Sequence, residues 1–225
     1  VVVNQMHRSP GVFFDHDKGK SHASGKLLFN CRVIPNRGSW LDFEFDVKDL
    51  LYFRVDRKKK ILVSTLLLAL GFTKSDLVNE FYQKEIYNFD TKINKWKTKF
   101  NPENYKSKNL SEEILDAKSN KIVIKKGEKI NFLKAKKLHN DGLKDIYVNN
   151  QYLSGKYLSK QIIIGEDIFK IGTELNETII DKFNQNKINL IETAYTNSIN
   201  KGPYLLQTIF NDKNESKNDA INEIY

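Results

Sequence analysis

Three runs of alternating apolar and polar side chains in the first 60 residues restrict the possible folds more than any other feature. In the second run, Leu41, Phe43 and Phe45 share one side of an extended chain, and polar residues occupy the other side. A period of two is typical of a β-strand with one buried face. Short turn-like links join the runs, which cover 27–34, 39–46 and 50–56. The sequence therefore predicts a three-stranded antiparallel meander with one buried face.

Two short helices are predicted after the meander. Ser64 or Thr65 can cap the apolar stretch that follows, and Gly71 can end it. Thr73 and Asp76 then have the spacing of a capping box at the start of a second helix. A DNA-reading helix-turn-helix is an alternative, but the first helix is short and uniformly apolar. A helical pair packed on the sheet is favoured.

The composition changes near residue 83 towards lysine, asparagine and isoleucine, which predicts a separate module of short elements. The fold class predicted is α+β, an antiparallel β meander with short packed helices plus an inserted mixed α/β module. The expected domains are 1–82 together with 201–225, and an insertion at 83–200. Predicted strands in the insertion are 86–89, 121–127, 145–148, two strands (KQIII and EDIFKIG) within 160–172, and 188–196, and predicted helices are 132–142 and 177–186.

Composition excludes some classes of protein. The longest apolar run, 61–72, is too short to cross a membrane, so no membrane partner is expected. The single cysteine, Cys31, excludes an internal disulfide, and no export signal is visible, so a cytoplasmic location is expected. The chain starts without methionine inside a strand-like stretch, which suggests a fragment of a longer protein. The formal net charge of +9 favours a polyanionic partner such as nucleic acid, although a lysine-rich solvated surface would explain it too.

The arginines are concentrated where the alternation is strongest. All five lie at or before Arg57, in a chain that otherwise uses lysine. A guanidinium offers a planar fork for phosphate or a base edge and stacks on flat groups, so function is expected in the first 60 residues. Strand parity places Trp40 on the polar face beside Arg37, either as a platform for a nucleic-acid base or as a ring covered by a neighbouring loop.

Three other kinds of site fit the sequence poorly. The stretch GKSHASGK (19–26) has the wrong spacing for a phosphate-binding loop. A group of histidines and aspartates matches no common metal-ligand pattern; its members are His7, Asp15, His16, Asp17 and His22. Cys31 lies on the apolar side of its strand, where an inert buried thiol is expected. These residues therefore predict a binding and positioning domain, with no catalytic residue.

The chain resembles one known family over long and specific motifs. These are VVVNQMHRSPGVFFDHDKGK, SGKLLFNCRVIPNRGSWLDFEFDVKDLLYFRVDRKKK, TLLLALGF and, near the end, ETAYTNSINKGPYLLQTI. They are similar to the lobe region of the beta subunit of bacterial DNA-directed RNA polymerase. The intervening residues 83–200 align loosely and correspond to a lineage-variable insertion.

The resemblance implies roles for named residues. Trp40 would stack on an unpaired non-template base, and Arg8 would line a pocket for a neighbouring guanine. Val3 and Gln5 would border the rifamycin pocket, where Met6 departs from the usual leucine. Further residues would meet the DNA backbone or lie beside it: Lys18, Lys20, Arg37, Arg54, Asp56 and Arg57. The loop at 7–27 would hold Arg8 and its lysines towards DNA, with the triplet at 12–14 anchoring the loop to the core.

The same resemblance implies a nucleoid-associated location and the partners. These are DNA, as the non-template strand and the downstream duplex, the alpha, beta prime and omega subunits of the polymerase, and sigma factor. The whole enzyme, a nucleotidyltransferase, would use Mg²⁺ bound by another subunit, and this fragment would hold no cofactor. A free-standing single-stranded nucleic-acid-binding module is the main alternative, and a metal-dependent hydrolase is a third.

Overall fold

The computed structural model describes residues 8–17, 25–105, 108–110 and 112–225. The chain divides into two compact units. Unit 1 comprises residues 1–77 and 203–225, and unit 2 comprises residues 78–202. The boundaries predicted from the sequence lie at 82/83 and 200/201, and insertion of the central module stays a prediction.

The described part of unit 1 is built on an antiparallel sheet of five strands in the order β1-β2-β3-β4-β5. The strands are β1 (Gly11–Asp17), β2 (Leu28–Ile34), β3 (Leu41–Phe45), β4 (Leu51–Val55) and β5 (Ile61–Leu62). The predicted meander corresponds to β2, β3 and β4, and the α+β class is confirmed. The structure adds β1 and β5 at the two edges of the meander.

Strand pairing gives the sheet two chemically different faces. Cys31 pairs with Phe43, and Phe43 pairs with Phe53, so these three lie on one face. Arg32 pairs with Asp42, and Asp42 pairs with Arg54, on the opposite face. Paired residues share a face because successive side chains of a strand alternate between faces. One apolar and one charged face therefore follow from the alternation in the sequence.

Two helices follow the sheet, α1 (Val63–Ala69) and α2 (Lys74–Phe81). The prediction that Ser64 or Thr65 caps α1 was wrong, because Leu62 occupies the N-cap and no side chain caps the helix there. The Thr73 capping box is confirmed: Thr73 Oγ1 accepts a hydrogen bond from the Asp76 amide at 3.1 Å, and the Asp76 carboxylate accepts one from the Thr73 amide at 3.0 Å.

Unit 2 contains a larger antiparallel sheet in the order β10-β9-β12-β7-β6-β16-β13, with two further two-stranded pairs, β11-β8 and β14-β15, among its described residues. Its strands are β6 (Lys84–Asp90), β7 (Lys95–Lys99), β8 (Lys108–Asn109), β9 (Ile114–Asp116), β10 (Ile122–Ile124), β11 (Lys129–Ile130), β12 (Asp145–Val148), β13 (Tyr157–Leu158), β14 (Ile162–Ile164), β15 (Asp167–Phe169) and β16 (Leu190–Ala194). Its helices are α3 (Phe132–Asn140), α4 (Asn150–Leu153) and α5 (Glu177–Gln185), with a 3₁₀ turn at Pro102–Asn104. The predicted helices at 132–142 and 177–186 are confirmed as α3 and α5.

The core of unit 2 lies on the inner side of this sheet. Trp96 on β7 is fully buried, and its ring lies 4.9 Å from that of Phe89. Trp96 Nε1 donates a hydrogen bond of 2.9 Å to Asn150 Oδ1. Burying the ring while pairing its polar edge is the arrangement that a tryptophan needs in a core.

Two C-terminal helices complete unit 1, α6 (Tyr204–Asn211) and α7 (Lys217–Ile224). Asp212, which is buried, follows α6 and accepts hydrogen bonds from the hydroxyl groups of Ser64 and Thr65. The two hydroxyl groups thus join the start of α1 to the end of α6, 147 residues later. Burial of these polar groups is tolerated because each has a partner.

Among the described residues, no helix combines the length and apolar character needed to span a lipid bilayer.

Candidate nucleic-acid interface

Trp40 is half-buried and immediately precedes β3, and both of its backbone polar groups are held by Asp56. The Trp40 amide donates to Asp56 Oδ1 at 2.8 Å, and the Trp40 carbonyl accepts from the Asp56 amide at 2.9 Å. The antiparallel pairing of β3 and β4 brings these residues together although they are 16 positions apart. Asp56 therefore fixes the position of the Trp40 backbone.

Asp56 itself lies in a tight turn between β4 and β5. Asp56 and Arg57 both have positive φ angles, 49° and 60°, and the Lys58 amide donates to the Val55 carbonyl at 3.0 Å. Two successive left-handed residues make a turn that matches the twist of a hairpin, and aspartate tolerates this conformation better than most residues. The turn leaves the side chains of Arg57 and Lys58 exposed.

The pKa of Asp56 is lowered from its ordinary value, mainly by the hydrogen bond from the Ser39 side chain and then by that from the Trp40 amide. A carboxyl group whose pKa falls on folding stabilises the folded turn at any pH above its ordinary pKa. This contribution is lost as the pH falls through the lowered pKa. In a Trp96→Phe variant, we expect Trp40 fluorescence to change only below about pH 4. Asp56→Asn is expected to abolish that acid transition.

Asp76→Asn is the matched control for this titration, because Asp76 is another exposed aspartate of lowered pKa, far from Trp40 in sequence. It is expected to leave the Trp40 transition in place. A midpoint above the ordinary aspartate value, or a transition that survives Asp56→Asn, would contradict the role given to Asp56.

Two arginines lie against the Trp40 ring. The guanidinium carbon of Arg8 is 5.7 Å from the ring centroid, and that of Arg32 is 5.4 Å away. Arg32 Nε and Nη2 donate to the two carboxylate oxygens of Asp42 at 2.5 and 3.1 Å. The hydrogen bonding of the Arg32 guanidinium to the Asp42 carboxylate raises the pKa of Arg32, which therefore stays charged. Both distances are those of cation–π contacts, so the ring lies in a cationic environment.

An open cavity of about 360 Å³ lies beside these arginines on the charged face of the sheet. It is lined by Arg8, Phe13, Asp15, Asn30, Cys31, Arg32, Asp42, Phe43 and Glu44. Within the described ranges, Asp42 neutralises Arg32, whereas Arg8 has no carboxylate partner. The cavity thus combines a free guanidinium with amide and carboxylate groups that can bind the edge of a planar polar ligand.

Glu44 neutralises a second group of cations on the same face. Its carboxylate lies 3.0 Å from Arg54 Nη2 and 3.1 Å from Lys60 Nζ, and the Lys60 ammonium lies 4.3 Å from the Tyr52 ring centroid. Arg54 is therefore half-buried in an ion pair, which leaves it less available to phosphate than Arg37 or Arg57, both of which are exposed.

The structure thus brings Arg8, Trp40 and Asp56 together among the predicted residues. Arg37 lies in the exposed turn before Trp40, and the residues that contact the ring are instead Arg8 and Arg32. Arg32 was missed as a site residue. The signal available was strand register, since pairing β2 with β3 places Arg32 opposite Asp42 and near Trp40. Four predicted residues lie outside the described residues: Val3, Gln5, Lys18 and Lys20.

The proposed anchoring of the loop by the triplet at 12–14 was wrong. Val12, Phe13 and Phe14 belong to β1, and all three are exposed. The sequence predicts a loop here because three consecutive apolar residues show no alternation. In the structure these residues form a strand that pairs along its length with β2. Cys31 is only half-buried, and partial burial raises the pKa of its thiol.

His7 and His22 of the histidine and aspartate group lie outside the described residues. In the part of the chain that the structure describes, no three histidine, cysteine, aspartate or glutamate side chains are grouped so that they could hold a metal ion.

Comparison with known proteins gives consistent results along the chain. The profile of the family RNA polymerase Rpb2, domain 2, matches residues 8–210. DNA-directed RNA polymerase subunit beta of Rhizobium leguminosarum bv. trifolii (strain WSM2304) is 43% identical over 228 residues, which cover 100% of this chain and 16% of that protein. The subunits of the same name from Rickettsia massiliae (strain Mtu5) and Rickettsia rickettsii (strain Sheila Smith) are each 42% identical with the same coverage. The chain therefore spans about one sixth of the length of these relatives.

Proposed function

We propose, from the fact that this chain belongs to the RNA polymerase Rpb2 domain 2 family, that it is part of the beta subunit of a DNA-directed RNA polymerase and binds single-stranded DNA through its Trp40 face. The Trp40 face comprises Arg8, Arg32, Arg37, Trp40 and Arg57. In this function unit 1 positions DNA during transcription, and nucleotidyl transfer is an activity of the whole polymerase.

The observation that carries this proposal is the Trp40 ring set between two guanidinium groups at 5.7 and 5.4 Å. An aromatic ring with adjacent arginines is the arrangement with which proteins stack unpaired bases while holding the phosphate backbone. The backbone of Trp40 is fixed on both sides by Asp56, so the ring is held in position before a base arrives.

The finer assignments come from the resemblance in sequence, and the same geometry supports them. A non-template base would stack on Trp40, and a neighbouring guanine would enter the cavity beside Arg8, whose free guanidinium can pair with the O6 and N7 acceptors of that base. Arg37 and Arg57 are exposed and would meet phosphate. The surface would form one side of a DNA cleft, the lobe, completed by the other polymerase subunits and by sigma factor.

Asp56 and Arg54 take different roles in this proposal from those that the resemblance implies. Asp56 is a positioning residue, because a carboxylate beside DNA would repel phosphate whereas this one holds the Trp40 backbone. Arg54 and Lys60 are paired with Glu44 and serve to keep the charged face of the sheet ordered.

Binding of the 225-residue chain to short fluorescent single-stranded DNA tests the proposal. Trp40→Ala is expected to weaken binding by about 5- to 150-fold, because stacking of one base contributes about 1–3 kcal/mol. Arg8→Ala is expected to weaken binding and reduce its salt dependence, whereas Arg8→Lys should keep the salt dependence but lose affinity. Anisotropy across a salt series measures all of these effects.

Lys118→Ala is the control, since it removes an exposed positive charge from unit 2. Its affinity should equal that of the unaltered chain. Weak binding by the isolated chain that falls further in the Trp40 variant fits a part of a polymerase. In the whole enzyme, the contact between Trp40 and DNA would be one of many in a large cleft. Tight binding by the isolated chain would favour a free-standing single-strand-binding module. Equal binding by the Trp40 and Lys118 variants would refute the assignment of the Trp40 face.

A further inference from the structure

The larger sheet of unit 2 opens between two neighbouring strands, β6 and β7. On one side, β6 pairs with β16 from Lys84 to Asn88. On the other side, β6 pairs with β7 only from Asn88 to Asp90. The first half of β6 therefore separates from the end of β7, although the two strands are adjacent in the sheet. The opening between residues 84–87 and residues 98–101 is called the β6–β7 gap below.

Backbone polar groups of β6 point into this gap. The Phe89 amide donates a hydrogen bond of 2.8 Å to the Asn189 carbonyl, so the odd-numbered residues of β6 direct their backbone groups towards β16. Successive residues of an antiparallel strand alternate in this respect, so Lys84 and Ile86 direct theirs towards β7. In the described part of the chain, no strand pairs with them on that side. Free N–H and C=O groups along a strand are a template for pairing with another chain.

A cavity of about 770 Å³ lies at the β6–β7 gap. Its lining includes Thr98 and both neighbours of Thr98 in the strand, Lys97 and Lys99. Since consecutive side chains of a strand face opposite sides of the sheet, the cavity opens between the strands and does not lie on one face alone. Its volume falls in the range of about 300–1,000 Å³ that is usual for binding sites.

Three lysines line the gap and share one face of the sheet. They are Lys84, Lys97 and Lys99. The register places them together, because Asn88 pairs with Lys97, and both Lys84 and Lys99 lie an even number of positions from that pair. A ligand in the gap would therefore meet positive charge along one side.

These lysines are weakly paired within the protein. Lys97 Nζ lies 3.7 Å from the Asp145 carboxylate, and Lys84 Nζ lies 3.7 Å from the Glu192 carboxylate, both beyond hydrogen-bond distance. Lys99 is exposed and lies opposite Asp145 in the register, but it forms no ion pair among the residues that the structure describes. All three ammonium groups can therefore turn towards an anionic ligand.

Glu85 also lines the gap, but its negative charge is already neutralised. Its carboxylate lies 2.6 Å from Lys156 Nζ and accepts hydrogen bonds from Asn104 Nδ2 at 2.8 Å and from the Tyr87 hydroxyl at 3.2 Å. The side chains of Glu85 and Lys156 are both largely buried. Glu85 therefore does not cancel the charge of the three lysines.

Two polar atoms at the other side of the gap lack partners. Asn104 Oδ1 and His139 Nδ1 are buried and have no hydrogen-bond partner among the described residues, and both side chains line the cavity. Lys144 Nζ lies 2.9 Å from His139 Nε2, and an ammonium group can only donate, so a neutral ring carries its proton on Nδ1. One acceptor and one donor are thus unpaired, which a peptide group can complement.

We propose that the β6–β7 gap binds an extended acidic segment of a partner protein as an added strand. The backbone of the segment would pair with the free groups of β6 and β7. Its alternate side chains, as glutamate or aspartate, would lie against Lys84, Lys97 and Lys99. In this mode of recognition, main-chain hydrogen bonds provide affinity and alternate side chains provide selectivity. The site lies within unit 2 and does not depend on the Trp40 face.

Binding of a labelled peptide to the 225-residue chain tests the charge requirement. The probe is a capped pentapeptide of alternating glutamate and valine with a fluorescent label, and anisotropy reports binding. We expect saturable binding that weakens by about 2- to 5-fold for each lysine removed in Lys97→Gln and Lys99→Gln. Lys118→Gln, which alters an exposed lysine elsewhere in unit 2, is the matched control and should bind like the unaltered chain. Absence of binding, or equal binding by a peptide of alternating lysine and valine, would overturn the proposal.

The backbone requirement is tested separately. An N-methylated version of the probe keeps its charges but cannot donate main-chain hydrogen bonds, so its binding should be lost. The unmethylated probe should slow hydrogen exchange at the amides of Lys84, Ile86 and Lys99, and leave that of Lys118 unchanged. Equal binding by the methylated probe, or unchanged exchange at the gap, would reduce the interaction to charge alone and refute strand addition. Protection of the same amides by single-stranded DNA would assign the gap to nucleic acid and also overturn the proposal.

Discussion

Asp212→Ala is expected to lower the free energy of unfolding of unit 1 by about 3 kcal/mol, because it leaves two buried hydroxyl groups without an acceptor. Ser64 and Thr65 are both fully buried and donate to this carboxylate, which also accepts a hydrogen bond from the Asn214 amide at 2.9 Å. The network ties the start of α1 to the chain after α6. Its loss should therefore loosen the helical layer that covers the β3–β5 half of the sheet.

Urea unfolding followed by fluorescence can measure this effect in unit 1 alone. The chain contains two tryptophans, and a Trp96→Phe background leaves Trp40 as the reporter for unit 1. Asp212→Asn is the conservative control and should cost less, because an amide oxygen can still accept one of the hydrogen bonds. Lys213→Ala, an exposed neighbour, should have almost no effect. Equal midpoints for the Asp212→Ala and Lys213→Ala variants would show that the network does not stabilise unit 1.

The role of Asp212 also shows where sequence reasoning failed. Ser64 and Thr65 precede an apolar run, which is the usual signal of an N-cap, and they were interpreted as caps. The alternative partner lies 147 residues away in the sequence, so no local pattern could have indicated it. Thr73 was interpreted correctly because both partners of its capping box lie within three residues of each other.

The strands show the same division between local and distant causes. β2, β3 and β4 were predictable because each has one apolar side, as strands of an antiparallel sheet with one buried face generally do. β1 was missed because Val12, Phe13 and Phe14 form an unbroken apolar triplet at the sheet edge, where both faces are exposed. β7 was missed because lysines at alternate positions conceal two buried residues, Trp96 and Thr98.

In the candidate site, the residue types were predictable and the contacts were not. Trp40 and Arg8 were singled out from strand parity, from the restricted use of arginine and from resemblance to a family. That Arg32 lies against the ring, and that Asp56 holds its backbone, depends on the register between β2, β3 and β4. Register depends on the geometry of the turns as well as on the apolar pattern, so alternation within a single strand does not specify it.

Trp96→Ala is expected to destabilise unit 2 by about 3–5 kcal/mol, the usual cost of removing a buried aromatic ring. Trp96 is fully buried, and its ring centroid lies 4.9 Å from that of Phe89. Its Nε1 donates a hydrogen bond of 2.9 Å to Asn150 Oδ1. The substitution removes the ring contact and the hydrogen bond together and leaves a cavity under β6 and β7. Protection of the amides of 84–90 and 95–99 from hydrogen exchange should fall accordingly.

Three further variants separate the contributions. Trp96→Phe keeps most of the ring and should cost less than the alanine variant, and Asn150→Ala removes the hydrogen-bond acceptor and should cost about 1 kcal/mol. Ile163→Ala alters an exposed residue of the same unit and should change stability by less than about 0.5 kcal/mol. Trp40 belongs to unit 1 and is the tryptophan that remains in the two Trp96 variants, so in these its fluorescence reports whether unit 1 stays folded. If Trp96→Ala unfolds at the same urea concentration as Ile163→Ala, the burial of Trp96 does not stabilise unit 2, and the core assigned to this unit is wrong.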